Sequence, residues 1–171
     1  MTLPPPLQAL WEDLEAARRD LVREVDGLSQ GQADWRSTAE EWFLLAEINT
    51  GKLTTKLTRD AAGASRPFPP DLRSFDPLPP RRPGGGVAPA LVRPDVGRPI
   101  HELRAELETV RQRTRQSIER LGTLDPRLLL WEHFAFGPLN IAQWWTLQAA
   151  HDREHLAQLR RVKAAGGFPS K

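Results

Sequence analysis

The sequence predicts an all-α fold: a four-helix bundle with one long crossover between its second and third helices. Three observations carry that expectation. Four stretches repeat apolar residues every three or four positions, and no stretch alternates as a strand would. Between the second and third stretches, residues 63–97 hold 9 prolines and 5 glycines in 35 positions. Two helices make a poor core alone, so the Pro/Gly-rich segment reads as a connection inside a single domain spanning 1–171. A helix of ~25 residues is ~38 Å long, and ~35 extended residues reach about three times that. The crossover can therefore return the chain to its starting end and let the second and third helices run parallel.

The first helix, about 5–26, carries Leu7, Leu10, Trp11, Leu14, Ala17, Leu21 and Val25 on one stripe between Pro4–Pro6 and Gly27. The second, 37–62, opens on Ser37-x-x-Glu40, a pattern in which the two side chains satisfy first-turn backbone donors. It continues through Leu44, Ile48, Leu53 and Leu57 towards Gly63. Pro99 suits the first position of the third helix, 99–121, whose stripe is Leu103, Leu107, Val110, Thr114, Ile118 and Leu121 before Gly122. The fourth, 140–165, starts at Asn140 with Gln143 placed to complete a cap, and runs through Trp144, Leu147, Leu156, Leu159 and Val162 to Gly166. Pro67, Phe68, Pro69, Leu72, Phe75 and Leu78 can pack part of the 63–97 crossover on the bundle. The 123–139 connection is apolar enough to be ordered.

With no cysteine among 171 residues, disulfides, thiolate nucleophiles and cysteine metal sites are excluded. The net charge is only +2, and Arg111, Arg113 and Arg115 sit among Glu102, Glu106, Glu108 and Glu119. That stretch reads as a solvated helix face, and a nucleic-acid partner is not expected. No 18 apolar residues run together, and the N-terminus has no apolar core behind a basic start. A soluble cytoplasmic protein without a membrane partner is the expectation.

Any metal would have to use His, Asp or Glu, and there are four histidines. At ~100° per residue, Trp144, Leu147, His151, His155, Gln158 and Val162 fall within a stripe about 60° wide, which turns both histidines towards the core. Arg153 and Arg160 point away, and Asp152 lies at the edge. His-x-x-x-His puts two imidazoles on successive turns, near enough to share a metal ion. Two hydrogen-bonded core histidines are the competing reading. HDREH also resembles the HExxH metalloprotease signature only weakly, because Asp152 is shorter than Glu and about 100° from His151. His101 falls about 160° from its helix's apolar stripe and should face solvent. His133 can hydrogen-bond within its own turn or line the rim of the site.

Residues 131–161, WEHFAFGPLNIAQWWTLQAAHDREHLAQLRR, resemble the C-terminal motif of the DinB/YfiT-like family of four-helix-bundle metalloenzymes. His133, Gly137, Trp144, His151, Asp152, His155 and Gln158 match, while Phe134 replaces the usual Pro and Asn140 the usual Thr. A second block, WRSTAEEWFLLAE at 35–47, is similar to the family's second-helix segment, so the resemblance covers most of the chain. It implies a divalent metal on His151 and His155, and it puts Leu44 where the family has its third metal-binding histidine. Leucine cannot ligate. Glu40 and Glu47 lie within about 60° of Leu44 on the wheel, and Glu47 is the carboxylate that can stand in. A capping role for Glu40 and a solvent-facing charge at Glu47 are the alternatives. Zinc, nickel, iron or manganese would each accept two imidazoles and a carboxylate.

The resemblance further implies transferase or hydrolase chemistry on an unknown small molecule, with the metal activating water or the thiolate of a low-molecular-weight thiol cosubstrate. Asp152 or Glu154 would orient an imidazole from behind. The competing expectation is a metal-free bundle that serves as a stress-response binding or scaffold protein. The family is associated with DNA-damage induction, and its members often form homodimers.

Overall fold

A computed structural model of the chain describes residues 3–35, 44–63, 66–83, 98–122 and 124–170, with backbone only for 44–49. Helix α1 (Pro5–Val25) begins on two prolines, whose missing N–H groups are of no consequence in a first turn. It buries the expected Leu7, Trp11, Leu14, Ala17, Leu21 and Val25, and with them Arg18. A short helix that was not expected, α2 (Gln30–Asp34), follows. It is capped by Ser29, whose hydroxyl accepts the Gln32 N–H at 3.3 Å while the Gln32 side chain accepts the Ser29 N–H at 3.0 Å. This is the capping pattern read at Ser37-x-x-Glu40, found here eight residues earlier. Ser37 and Glu40 themselves lie outside the described residues. The helix expected over 37–62 is described from Leu44 onward as α3 (Leu44–Ala62).

Helix α4 (Ile100–Leu121) starts one residue later than expected, because Pro99 caps it and is not its first residue. Gly122 ends it at φ +58, with its N–H on the Ile118 carbonyl at 3.2 Å. Helix α5 (Ile141–Lys163) has the predicted cap: Asn140 Oδ1 accepts the Gln143 N–H at 3.0 Å and Gln143 Oε1 accepts the Asn140 N–H at 3.2 Å. No described helix is long and apolar enough to cross a membrane.

The expectation of no strand is corrected. β1 (Leu130–His133) and β2 (Gly137–Asn140) form an antiparallel hairpin, paired from Leu130↔Asn140 to His133↔Gly137. Hydropathy hides it, since Leu130 is exposed while Trp131 and His133 are half-buried. β2 also contains Pro138, a poor strand residue. Gly137 closes the turn at φ +79, and a Cβ there would meet the Arg82 guanidinium at 2.2 Å. The segment 66–83 is laid along this hairpin. The Arg82 N–H donates to the Ala135 carbonyl at 2.7 Å, the Asp125 N–H to the Arg66 carbonyl at 3.0 Å, and Gln143 Nε2 to the Pro77 carbonyl at 3.1 Å. Phe68, Phe75 and Leu78 pack on the core as expected; residues 84–97 of the crossover lie outside the described residues.

Helix α1 runs along α5, and α3 along both α4 and α5. The main core joins Leu7, Trp11, Leu14, Leu57, Ile118, Leu121, Trp144 and Trp145; a smaller one holds Val25, Leu107, Val110 and Leu159. Polar contacts cross this interior. Thr54 on α3 hydrogen-bonds Gln148 Oε1 on α5 at 2.9 Å, and Arg18 on α1 binds Asp152 on α5 through two bonds, Nε–Oδ2 at 2.6 Å and Nη2–Oδ1 at 3.1 Å. The Arg18 and Asp152 side chains are 3% and 0% exposed, so water screens neither charge. α3 and α4 approach so closely that a Cβ on Gly51 would lie 2.2 Å from Val110 Cγ1.

Two stability outcomes follow. Removing one member of the buried pair, by Arg18→Met or Asp152→Leu, should cost about 3–5 kcal/mol in urea unfolding, with most of it recovered in the double variant. A double variant as unstable as the sum of the singles would refute the pairing. Gly51→Ala should destabilise the wild type by about 1–2 kcal/mol through overpacking, yet stabilise a Val110→Ala background by filling the space left there. The same sign in both backgrounds would mean that Val110 is not the obstacle.

Candidate functional site

Helix α5 buries more of its circumference than the sequence suggests, because α1, α3 and the hairpin all contact it. Its most enclosed positions are Ile141, Ala142, Trp145, Gln148, Ala149 and Asp152, each 0–1% exposed. They form a band rotated from the Trp144–His151–His155 stripe. His151 and His155 are therefore half-buried at the edge of the buried face and not at its centre. Asp152, expected at the edge, lies at the centre in the grip of Arg18.

The two imidazoles meet edge to face, with ring centroids 4.3 Å apart and planes at 87°. His155 Nδ1 lies 3.1 Å from Gln158 Oε1. With the amide oxygen facing the ring, Nδ1 carries the proton and the lone pair resides on Nε2. Burial, with the neighbouring His151 adding to it, pushes the His155 pKa down to about 4 against opposing contributions from Gln158, Glu154 and Asp152. Burial also lowers the His151 pKa; Asp152 and Glu154 oppose that, while Arg18 and Arg81 add to it. Both rings are consequently neutral at pH 7, the form that can donate a lone pair to a metal.

His133 approaches from the hairpin. Its Nδ1 accepts the Ala135 N–H at 3.0 Å inside the turn, and its ring sits edge-on to Trp144 at 5.0 Å and stacked with Phe134 at 4.5 Å. Because Nδ1 is an acceptor, the neutral ring carries its proton on Nε2, which leaves no spare lone pair for a metal. Burial, Arg81 and His151 hold its pKa below the usual value. Arg81 itself sits over the Phe136 ring, 5.7 Å from its centroid. Thus His133 does both things expected of it, bonding within its turn and bordering the histidine pair. His101 is exposed, also as expected. Arg153 and Arg160 point outward to Asp13 and Glu24 of α1.

Among the described residues, no group of three His, Asp or Glu side chains converges as a metal site. Glu40 lies outside those residues, and the side chains of Leu44 and Glu47 do as well. Sequence reasoning missed Arg18 and Arg81. Arg18 had a signal, being a charge at the Leu14–Ala17–Leu21 positions of an apolar stripe; Arg81, in a run of prolines, had none.

The family model described as DinB superfamily matches residues 13–159. With most of its length matched, the chain belongs to the DinB superfamily. No curated protein and no solved structure matches it.

The lowered histidine pKa values have a directional consequence. Between about pH 4 and 6.5 the unfolded chain binds protons at these rings that the folded chain does not, so stability falls as pH drops through that window. The paired carboxylates Glu24, Glu106 and Asp125, whose pKa values are lowered, lose their contribution only at lower pH. Urea midpoints of metal-free protein should therefore decline from pH 6.5 to 5, with a shallower decline in His155→Gln. A wild-type midpoint that is flat across this range would contradict neutral, buried rings.

Proposed function

We propose that the chain is a metal-dependent transferase or hydrolase in which His151 and His155 hold one divalent ion, zinc, nickel, iron or manganese, and Glu47 provides a carboxylate. The observation that carries this reading is the pair itself: two neutral imidazoles, 4.3 Å apart on successive turns of α5. Gln158 strengthens it, because metal-binding histidines commonly give their second ring N–H to an oxygen acceptor that fixes their orientation. Glu47 is one turn of α3 beyond Leu44, the position at which related sequences carry a histidine. When bound, such an ion polarises water or holds a thiol as thiolate. With no cysteine in the chain, that thiol would be a cosubstrate of low molecular weight. His133 and Trp144 wall the pair on the hairpin side, and the Arg81 guanidinium can receive an anionic part of the substrate.

The same reading takes the four long helices as a bundle whose second and third members run parallel. Gly51 meets Val110, and Ala62 and Arg120 line one groove. In an antiparallel pair with that crossing, Ala62 and Arg120 would be ~30 Å apart.

Metal analysis of protein made without a histidine tag tests the proposal. About one ion per chain is expected in the wild type, with less than about a tenth of that in His151→Ala or His155→Ala and a partial loss in Glu47→Gln. Wild-type protein that holds no metal after metal-replete expression overturns it and leaves the metal-free binding or scaffold role, which Leu44 favours.

A further inference from the structure

A groove of about 520 Å³ opens between α3 and α4, and among the described residues no part of α5 lines it. Its charged lining is of one sign: Lys52, Lys56 and Arg59 from α3, Arg113 and Arg120 from α4. On each helix these recur at steps of three, four or seven, so each helix turns one basic stripe into the same space. Lys52 is neutralised at one end by an ion pair with Glu106, and Arg59 has only a loose contact with Asp60 at 3.9 Å. Among the described residues, Lys56, Arg113 and Arg120 have no ion-pair partner. This sets them apart from Arg111, Arg115, Arg153 and Arg160, each of which is paired with an acid.

Like charges gathered in a concave space repel one another and raise the local potential until an anion neutralises them. Arg113 and Arg120 are ~10 Å apart along α4, as are Lys52 and Arg59 along α3. That spread exceeds the reach of one phosphate and suits linked phosphate groups. Ser117 adds a hydroxyl between the two arginines of α4, and Val110 and Ala62 give an apolar floor for an organic body. The volume lies within the range of small-molecule sites. An extended nucleic-acid backbone fits less well, since the net charge is +2 and Glu106, paired with Lys52 and Arg98, closes the basic stripe at one end.

We propose that the α3–α4 groove is a binding site for a small diphosphate ester, separate from the histidine pair. Titration calorimetry in phosphate-free buffer at physiological salt, with pyrophosphate as the probe, tests this. Saturable 1:1 binding with Kd below about 1 mM is expected, weakened at least tenfold in Arg113→Gln/Arg120→Gln and unchanged in the charge-matched Arg19→Gln/Arg161→Gln. ADP binding more tightly than pyrophosphate would support an organic body on the apolar floor, and equal affinity would support recognition of the diphosphate alone. No saturable binding overturns the proposal, as does equal weakening by both double variants. Binding of a short DNA duplex without binding of pyrophosphate also overturns it. Circular dichroism melting of each variant confirms that the surface substitutions leave the fold intact.

Discussion

The two hydrogen bonds between Arg18 and Asp152 govern how α5 is presented to the rest of the molecule. A buried guanidinium and a buried carboxylate are each costly to remove from water, and only their mutual contact offsets that cost. Helices that met through apolar side chains alone could slide or rotate slightly with little penalty. With this pair at the interface, any rotation of α5 that parted the charges would leave both unscreened. The contact therefore fixes the rotation of α5 about its own axis. Once Asp152 points at α1, His151 must lie ~100° around the helix, and His155, four residues on, falls close behind His151. The histidines are aimed by a residue that sits between them in sequence and faces elsewhere in space.

That rotation places the imidazoles beside the hairpin and the 66–83 segment, where they are sheltered without being sealed. Burial holds both rings neutral, and the Arg81 guanidinium near His151 and His133 adds to the cost of a further positive charge. The Gln158 amide then selects the His155 tautomer that leaves Nε2 as the electron-pair donor. Three layers of structure thus converge on one chemical property: an ion pair sets the direction, the hairpin provides shelter, and one amide sets the tautomer. The basic groove on α3 and α4 shares no described side chain with the histidine pair.

Much of the fold could be read from the chain because its helices are amphipathic with period 3.6, and Asn140–Gln143 capped α5 as its spacing implied. What escaped did so for identifiable reasons. The hairpin is four residues per strand, exposes Leu130 and half-buries His133, so its hydropathy runs against its geometry. The α2 helix is only five residues long and depends on its cap more than on any apolar stripe. The helical wheel for α5 placed its centre on the histidines because it assumed one buried stripe, whereas α5 is covered on several sides and its true centre includes Gln148 and Asp152. A wheel weights residues by their own polarity and cannot know that Arg18 waits opposite Asp152. The histidine spacing was legible; the partners that make those histidines neutral and directional are set by tertiary contacts.

A long-range 1H–15N correlation titration of the histidine rings in metal-free protein bears most directly on this picture of a prebuilt, neutral imidazole pair. His155 should remain uncharged down to about pH 4, with its proton on Nδ1 throughout. A His155 ring that titrates near 6.5, or one that carries its proton on Nε2, would contradict it.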